Sequence, residues 1–168
     1  LKKQYERSLP FQDAMFDRWE RAAILGFAEG SSIYNSSVVF GDVDIGEQTW
    51  VGPYTILDGS GGGIKIGAFC SISSGVHIYT HDTVRWALSG GKANKTVEPV
   101  SIGDCVYIGS QSIISAGVSI GDHCAVAANS FVNKNVDPRT VVGGNPARVI
   151  GKIIGDGEDV QITYGDRF

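Results

Sequence analysis

The chain has 168 residues, enough for one domain with a substantial core. Its formal net charge of −4 leaves no basic face of the kind that nucleic acid or an anionic membrane surface requires. The 23 glycines lack the period of three that collagen needs, no apolar run reaches membrane-spanning length, and no basic-then-apolar start resembles a secretion signal.

The opening residues, 1–30, read as a helical cap. The stretch SLPFQDAMFDRWERAAILGF has Pro10 near its start and Phe11, Met15, Trp19, Ala22 and Ala23 near helical spacing, so it is expected to cover the first open coil. Both charge signs are mixed through it, which argues against a helix lying on a membrane.

Residues 31–138 carry a six-residue repeat of branched aliphatic side chains. Ile33, Val39, Ile45, Val51 and Leu57 fall on it, then Ile66, Ile72 and Ile78, then Ile102, Ile108, Ile114, Ile120, Val126 and Val132. A unit this short holds one brief strand and a corner, which is the signature of a parallel β-helix. Each aliphatic residue is expected to point inward, and the residue four places on is small: Thr49, Thr55, Cys70, Ser112, Cys124 and Ser130 among others. Gly46, Gly52, Gly67, Gly103, Gly109 and Gly121 follow the aliphatic residue, and the expectation is that they supply unusual backbone angles at tight corners. Three hexads would close one turn; the spacing says nothing about its handedness.

The phase slips at Gly59-Ser60-Gly61-Gly62-Gly63, read as a bulged corner, and breaks again after Ile78. The next small inward slot would fall on Asp82, a carboxylate that a dry coil does not tolerate unpaired. An excursion loop over about 79–101 is therefore predicted, with return at Ile102. Residues 139–168 form a C-terminal tail in which VQITY reads as a short strand.

With these features in place, the chain resembles the hexapeptide-repeat acetyltransferases. The hexads, THD with its long loop, VYIGSQSIISAGVSIGDHCAVAANSFVNK and the closing GGNPARVIG carry the likeness over roughly residues 30–152. The galactoside, maltose and nodulation-sugar O-acetyltransferase branch is the nearest in motif. The resemblance implies an all-β, left-handed parallel β-helix, an exception to the usual right-handed crossover. It also implies a homotrimer with acetyl-CoA in the groove between subunits.

Carried onto this sequence, the family motif makes His81 the general base that takes the acceptor hydroxyl's proton; the other reading is a loop histidine bonded to backbone. Asp82 either orients that ring or serves the turn. The coenzyme positions match Tyr107, where the branch usually has tryptophan, with Ser110, Ala128, Asn133, Lys134 and Arg148. The two cations could instead be solvated surface charge. Around the acceptor stand His77, Asp82, Arg85 and Trp86. Trp86 stacks on a sugar face or pins the loop to a neighbour, and Arg85 and Lys92 meet an acidic acceptor or only aid solubility. Trp50, Ile56, Ile113 and Phe131 share His77's outward slot, as a trimer seam would.

The reading is thus a cytoplasmic acetyl-CoA-dependent O-acetyltransferase acting on a sugar by direct transfer, without nucleic-acid partner or membrane insertion. Cys70, Cys105 and Cys124, an odd count without a CxxC pair, are expected to be reduced and not nucleophilic. The rivals are an N-acetyltransferase of a nucleotide-linked amino sugar, a zinc enzyme of the γ-carbonic anhydrase type and a non-catalytic trimeric scaffold. No metal site is assigned, because His77 and His81 occupy different hexad slots and His123 belongs to a distant coil.

Overall fold

A computed structural model describes residues 8–165. The ends of the predicted cap and tail, residues 1–7 and 166–168, lie outside the described residues.

The described part of the cap is two short helices, α1 (Phe11–Met15) and α2 (Arg18–Ile24), instead of one. Phe16 is extended, and the Asp17 side chain caps α2 by accepting from the N–H groups of Trp19 and Glu20. Of the predicted apolar face, Phe11, Met15, Trp19, Ala22 and Ala23, only Ala22 is buried. Phe11, Met15 and Trp19 are exposed, whereas Ala22 and Phe27 join the core and Asp13 is buried. Side-chain bonds fasten the cap to the coil: Arg21 donates to the carbonyls of Tyr34 and Ser37, and Asp13 accepts from Ser36 N–H.

Beyond the cap, short strands stack in parallel in three ladders. Ser32 pairs with Trp50 and Val38 with Ile56, each eighteen positions on, so one turn is three hexads. The first ladder runs Ser32, Trp50, Ser71, Tyr107, Ala125 and Val141; the second Val38, Ile56, His77, Ile113 and Phe131; the third Asp44, Lys65, Ser101 and Ser119. Trp50 therefore does not share His77's stripe: it stands in the first ladder with its ring edge-on to Tyr34.

The aliphatic residues of the repeat fill the coil. Ile33, Ile45, Val51, Leu57, Ile72, Ile78, Ile108, Ile114 and Val126 have no exposed surface, and each contributes roughly 1.5–3 kcal/mol by burial. The small slot is equally dry: Ser112 donates to Ala127 O and Thr49 to Gly67 O, while the buried Thr55 hydroxyl has no partner among the described residues.

The glycines after the aliphatic residues act differently from expectation. None of the six has positive φ; the left-handed non-glycine residues are Gln48, Tyr54, Phe69, Cys105, Gln111, His123, Asn129 and Arg139, each just before a small inward residue, and Gly75 and Gly117 take the same slot. Glycine is needed because the next coil passes too close. A Cβ at Gly109 would lie 2.5 Å from Ala128 N, and one at Gly46 would lie 2.7 Å from Ala68 N.

The slip at 59–63 is a three-residue insertion. Gly41 pairs with Gly59, eighteen apart, but Val43 pairs with Ile64, twenty-one apart. The excursion is ordered. His81–Asp82 pairs antiparallel with Thr96–Val97, the helix α3 (Val84–Leu88) lies between them, and the coil resumes at Val100, two residues ahead of Ile102. After the last coil, Thr140–Gly144, Ala147–Ile154 and Gln161–Tyr164 form an antiparallel meander that extends the first ladder.

Candidate active site

The insertion and the excursion meet at one corner. Thr80 is fully buried; its hydroxyl donates to Asp58 O at 2.7 Å and accepts from Gly61 N–H at 2.8 Å. This bond locks the glycine-rich insertion against the strand that carries His81. A Cβ at Gly61 would stand 2.3 Å from Thr80 O and 2.8 Å from His81 Cβ, so only glycine permits the approach.

The lock brings a carboxylate to the imidazole. His81 Nδ1 lies 3.7 Å from Asp58 Oδ2 and 3.4 Å from Ser60 Oγ. Ser60 is held in turn, donating its hydroxyl (2.6 Å) and its N–H (3.1 Å) to Asp58 Oδ1. The His81 side chain is 25% exposed, and Nε2 has no hydrogen-bond partner among the described residues. One ring nitrogen is thus tethered while the other faces outward.

Asp58 and Ser60 were not singled out from sequence. A signal existed: Asp58 pairs in register with Tyr79, which becomes visible once the three inserted residues are counted. Asp82, by contrast, does not reach the imidazole. Its Oδ1 accepts from Val84 N–H at 2.9 Å, which favours the turn role. His77 turns to Tyr79, whose hydroxyl lies 3.2 Å from His77 Nδ1. The two histidines have separate partners, and among the described residues no three His, Cys, Asp or Glu side chains gather to hold a metal.

Arg85 and Trp86 sit on α3, both exposed. Tyr107 is exposed in the first ladder, level with Ala125 of the next coil. Ser110 and Ala128 occupy one corner of adjacent coils, where Asn129 N–H donates to Ser110 O at 2.8 Å. Asn133, Lys134 and Arg148 line one cleft between the last coil and the C-terminal hairpin. Two exposed cations beside an amide suit a polyphosphate; the pair is separate from the His81 corner in the chain's own residues.

The thiols are poor nucleophile candidates. All three cysteines are free, and Cys70 and Cys124 are buried. Burial, followed by the nearby carboxylates of Asp104 and Asp122, pushes the exposed Cys105 thiol above its ordinary range.

With the ladders and this corner described, comparison with known proteins identifies the class. The chain belongs to the hexapeptide-repeat acetyltransferases. Residues 99–134 match the family described as hexapeptide repeat of succinyl-transferase. The hexapeptide-repeat containing acetyltransferase of Vibrio cholerae is 31% identical, with TM-score 0.70 and 83% of each chain covered. Its complex with acetyl coenzyme A superposes with TM-score 0.73 at 30% identity, covering 83% of this chain and 80% of that one. Chloramphenicol acetyltransferase of Morganella morganii is 34% identical over 114 residues, 55% of this chain and 53% of that protein. Galactoside O-acetyltransferase of Escherichia coli strain K12 is 46% identical over 55 residues, 33% of this chain and 27% of that protein. The chain thus spans about half or less of the length of these curated relatives.

Proposed function

We propose that this chain is an acetyl-CoA-dependent O-acetyltransferase acting on a sugar or sugar-containing acceptor. The observation that carries the reading is His81, tethered at Nδ1 by Asp58 and Ser60 with Nε2 unengaged. With Nδ1–H turned to Asp58, Nε2 holds the lone pair. It takes the acceptor hydroxyl's proton as that oxygen bonds to the thioester carbonyl carbon. The same nitrogen returns the proton to sulfur as the C–S bond breaks. No acyl-enzyme forms, and the raised thiol of Cys105 supports that. Asp58 acts through the imidazole as a positioning residue.

Arg148 and Lys134 would offset the phosphates of the acetyl donor, and Asn133 would complete their cleft. Tyr107 would flank the pantetheine arm, with Ser110 and Ala128 along it. The likeness to a protein solved with acetyl coenzyme A supports this donor. The coil would be left-handed and the molecule a cytoplasmic homotrimer. Val38, Ile56, His77, Ile113 and Phe131 form an outward stripe rich in apolar residues, as a seam between copies would require. No helix among the described residues is long and apolar enough to cross a membrane. Arg85 and Trp86, with His77 and Asp82 at the base of the hairpin, would face the acceptor.

The test is thiol release from acetyl-CoA by purified protein against galactosides, amino sugars and chloramphenicol. Turnover with hydroxyl sugars is expected. An amine acceptor preferred over every hydroxyl would favour N-acetyl transfer, and absence of acetyl-CoA binding in calorimetry would favour the scaffold reading.

Two substitutions check the chemistry. Asp58→Asn keeps the shape but loses the charge facing Nδ1, so kcat should fall while acetyl-CoA binding is unchanged. The drop should stay below the roughly 10²- to 10⁴-fold expected for losing a base outright; an unchanged kcat would remove Asp58 from the site. Cys105→Ala should leave turnover intact. Because its thiol pKa is raised, the wild-type alkylation rate should reach half its plateau at a higher pH than an ordinary cysteine does. A half-plateau at or below the ordinary pH would contradict the raised thiol, and lost turnover in the variant would contradict its exclusion from the chemistry.

A further inference from the structure

Beyond the His81 corner, the excursion contains a hollow of its own. It is lined by Thr83, Trp86, Gly91, Lys92, Asn94 and Lys95. It begins one residue beyond the His81–Asp82 strand and ends one residue before Thr96, that strand's pairing partner. Its walls are tied together by one side chain. Ser89 Oγ accepts from Lys92 N–H (3.0 Å) and Ala93 N–H (2.7 Å) and donates to Trp86 O (3.0 Å). Gly91, with φ +83°, donates its N–H to Trp86 O at 2.8 Å and packs beside the indole. The hollow is therefore a fixed shape on the hairpin.

Its chemistry differs from the rest of the chain. The protein has net charge −4, yet residues 83–97 contain Arg85, Lys92 and Lys95 and no Asp or Glu. Neither Lys92 nor Lys95 has an ion-pair partner among the described residues, whose only pairs are His81–Asp58 and Arg139–Asp156. Trp86 keeps 52% of its surface exposed beside them. An open aromatic ring suits the apolar face of a pyranose, and two unpaired ammonium groups suit an anion.

We infer that this hollow selects an anionic sugar acceptor: the ring stacks on Trp86 while a phosphate or carboxylate meets Lys92 and Lys95. The inference rests on the transferase reading for its purpose, but its binding step can be measured separately.

The experiment titrates the full chain with glucose, glucose 6-phosphate and glucuronate, reading indole fluorescence with Trp86→Phe as the reference. Acetyl-CoA binding is followed in parallel by calorimetry. At least one anionic probe should bind about tenfold or more tightly than glucose, and that preference should shrink in high salt. The two anionic arms tell phosphate from carboxylate recognition. The double substitution Lys92→Gln/Lys95→Gln should abolish the preference and leave acetyl-CoA binding unchanged. Equal binding of all three probes, no anionic binding at millimolar concentration, or a preference that survives the double substitution overturns the inference. Loss of acetyl-CoA binding in the wild type would instead defeat the transferase reading, whatever the sugars do.

Discussion

Replacing His81 with alanine should lower turnover by on the order of 10²- to 10⁴-fold, the range a positioned general base supplies. The loss should fall on kcat. The side chain is partly exposed, its polar contacts are limited to Asp58 and Ser60, and the cleft holding Lys134 and Arg148 is built from other turns. Acetyl-CoA binding and thermal stability should therefore stay near wild type. Thiol release at saturating donor, with calorimetry on the same preparation, reads both quantities. A variant that binds the donor and still turns over at the wild-type rate would remove His81 from the chemistry.

A second large effect is expected far from that corner. Gly109→Ala should destabilise the fold by about 1–3 kcal/mol, the usual cost of inserting a methyl group where no space exists. The added Cβ would meet Ala128 N at 2.5 Å and Val126 O at 2.8 Å, both backbone atoms that cannot swing aside. Asn129→Gly is the control. Asn129 is exposed and already sits at φ +57°, so glycine relieves a conformational cost while adding some chain entropy to the unfolded state. Its net change should stay within about 0.5 kcal/mol. Urea midpoints for the two variants separate the explanations. A neutral Gly109→Ala would mean that crowding between coils is not what selects glycine there.

The contrast shows where sequence reading succeeds. Burial of one large and one small side chain per hexad leaves a periodic trace, so Ile72, Ile108, Ile114, Ile120 and their small partners are identifiable from spacing alone. The purpose of a glycine leaves no such trace: its absent side chain looks the same whether it frees φ or clears a neighbour. Corner residues with positive φ such as Tyr54 and Phe69 carry no propensity signal either, because the stacked backbone imposes the angle. The cap failed for a related reason. Phe11, Met15, Trp19 and Ala22 keep helical spacing, but Asp17 starts a new helix, and only Ala22 of the four turns inward.

The candidate site was half legible. His81 stands where the repeat breaks, which spacing reveals. Its partners Asp58 and Ser60 lie one turn away, and three inserted residues hide that adjacency from a strict count of eighteen. The exposed slot of His77 was readable; its pairing with Tyr79 depended on a rotamer that no sequence pattern encodes.

The insertion at Gly59–Gly63 has a wider implication for how such chains diversify. Strand phase is regained by Ile64, and later turns stack as though nothing had been added. Extra segments spliced into a corner thus leave the scaffold's periodicity unharmed, whereas a single residue gained within a strand would flip every side chain beyond it. New surface can be grafted at such corners without redesign of the interior.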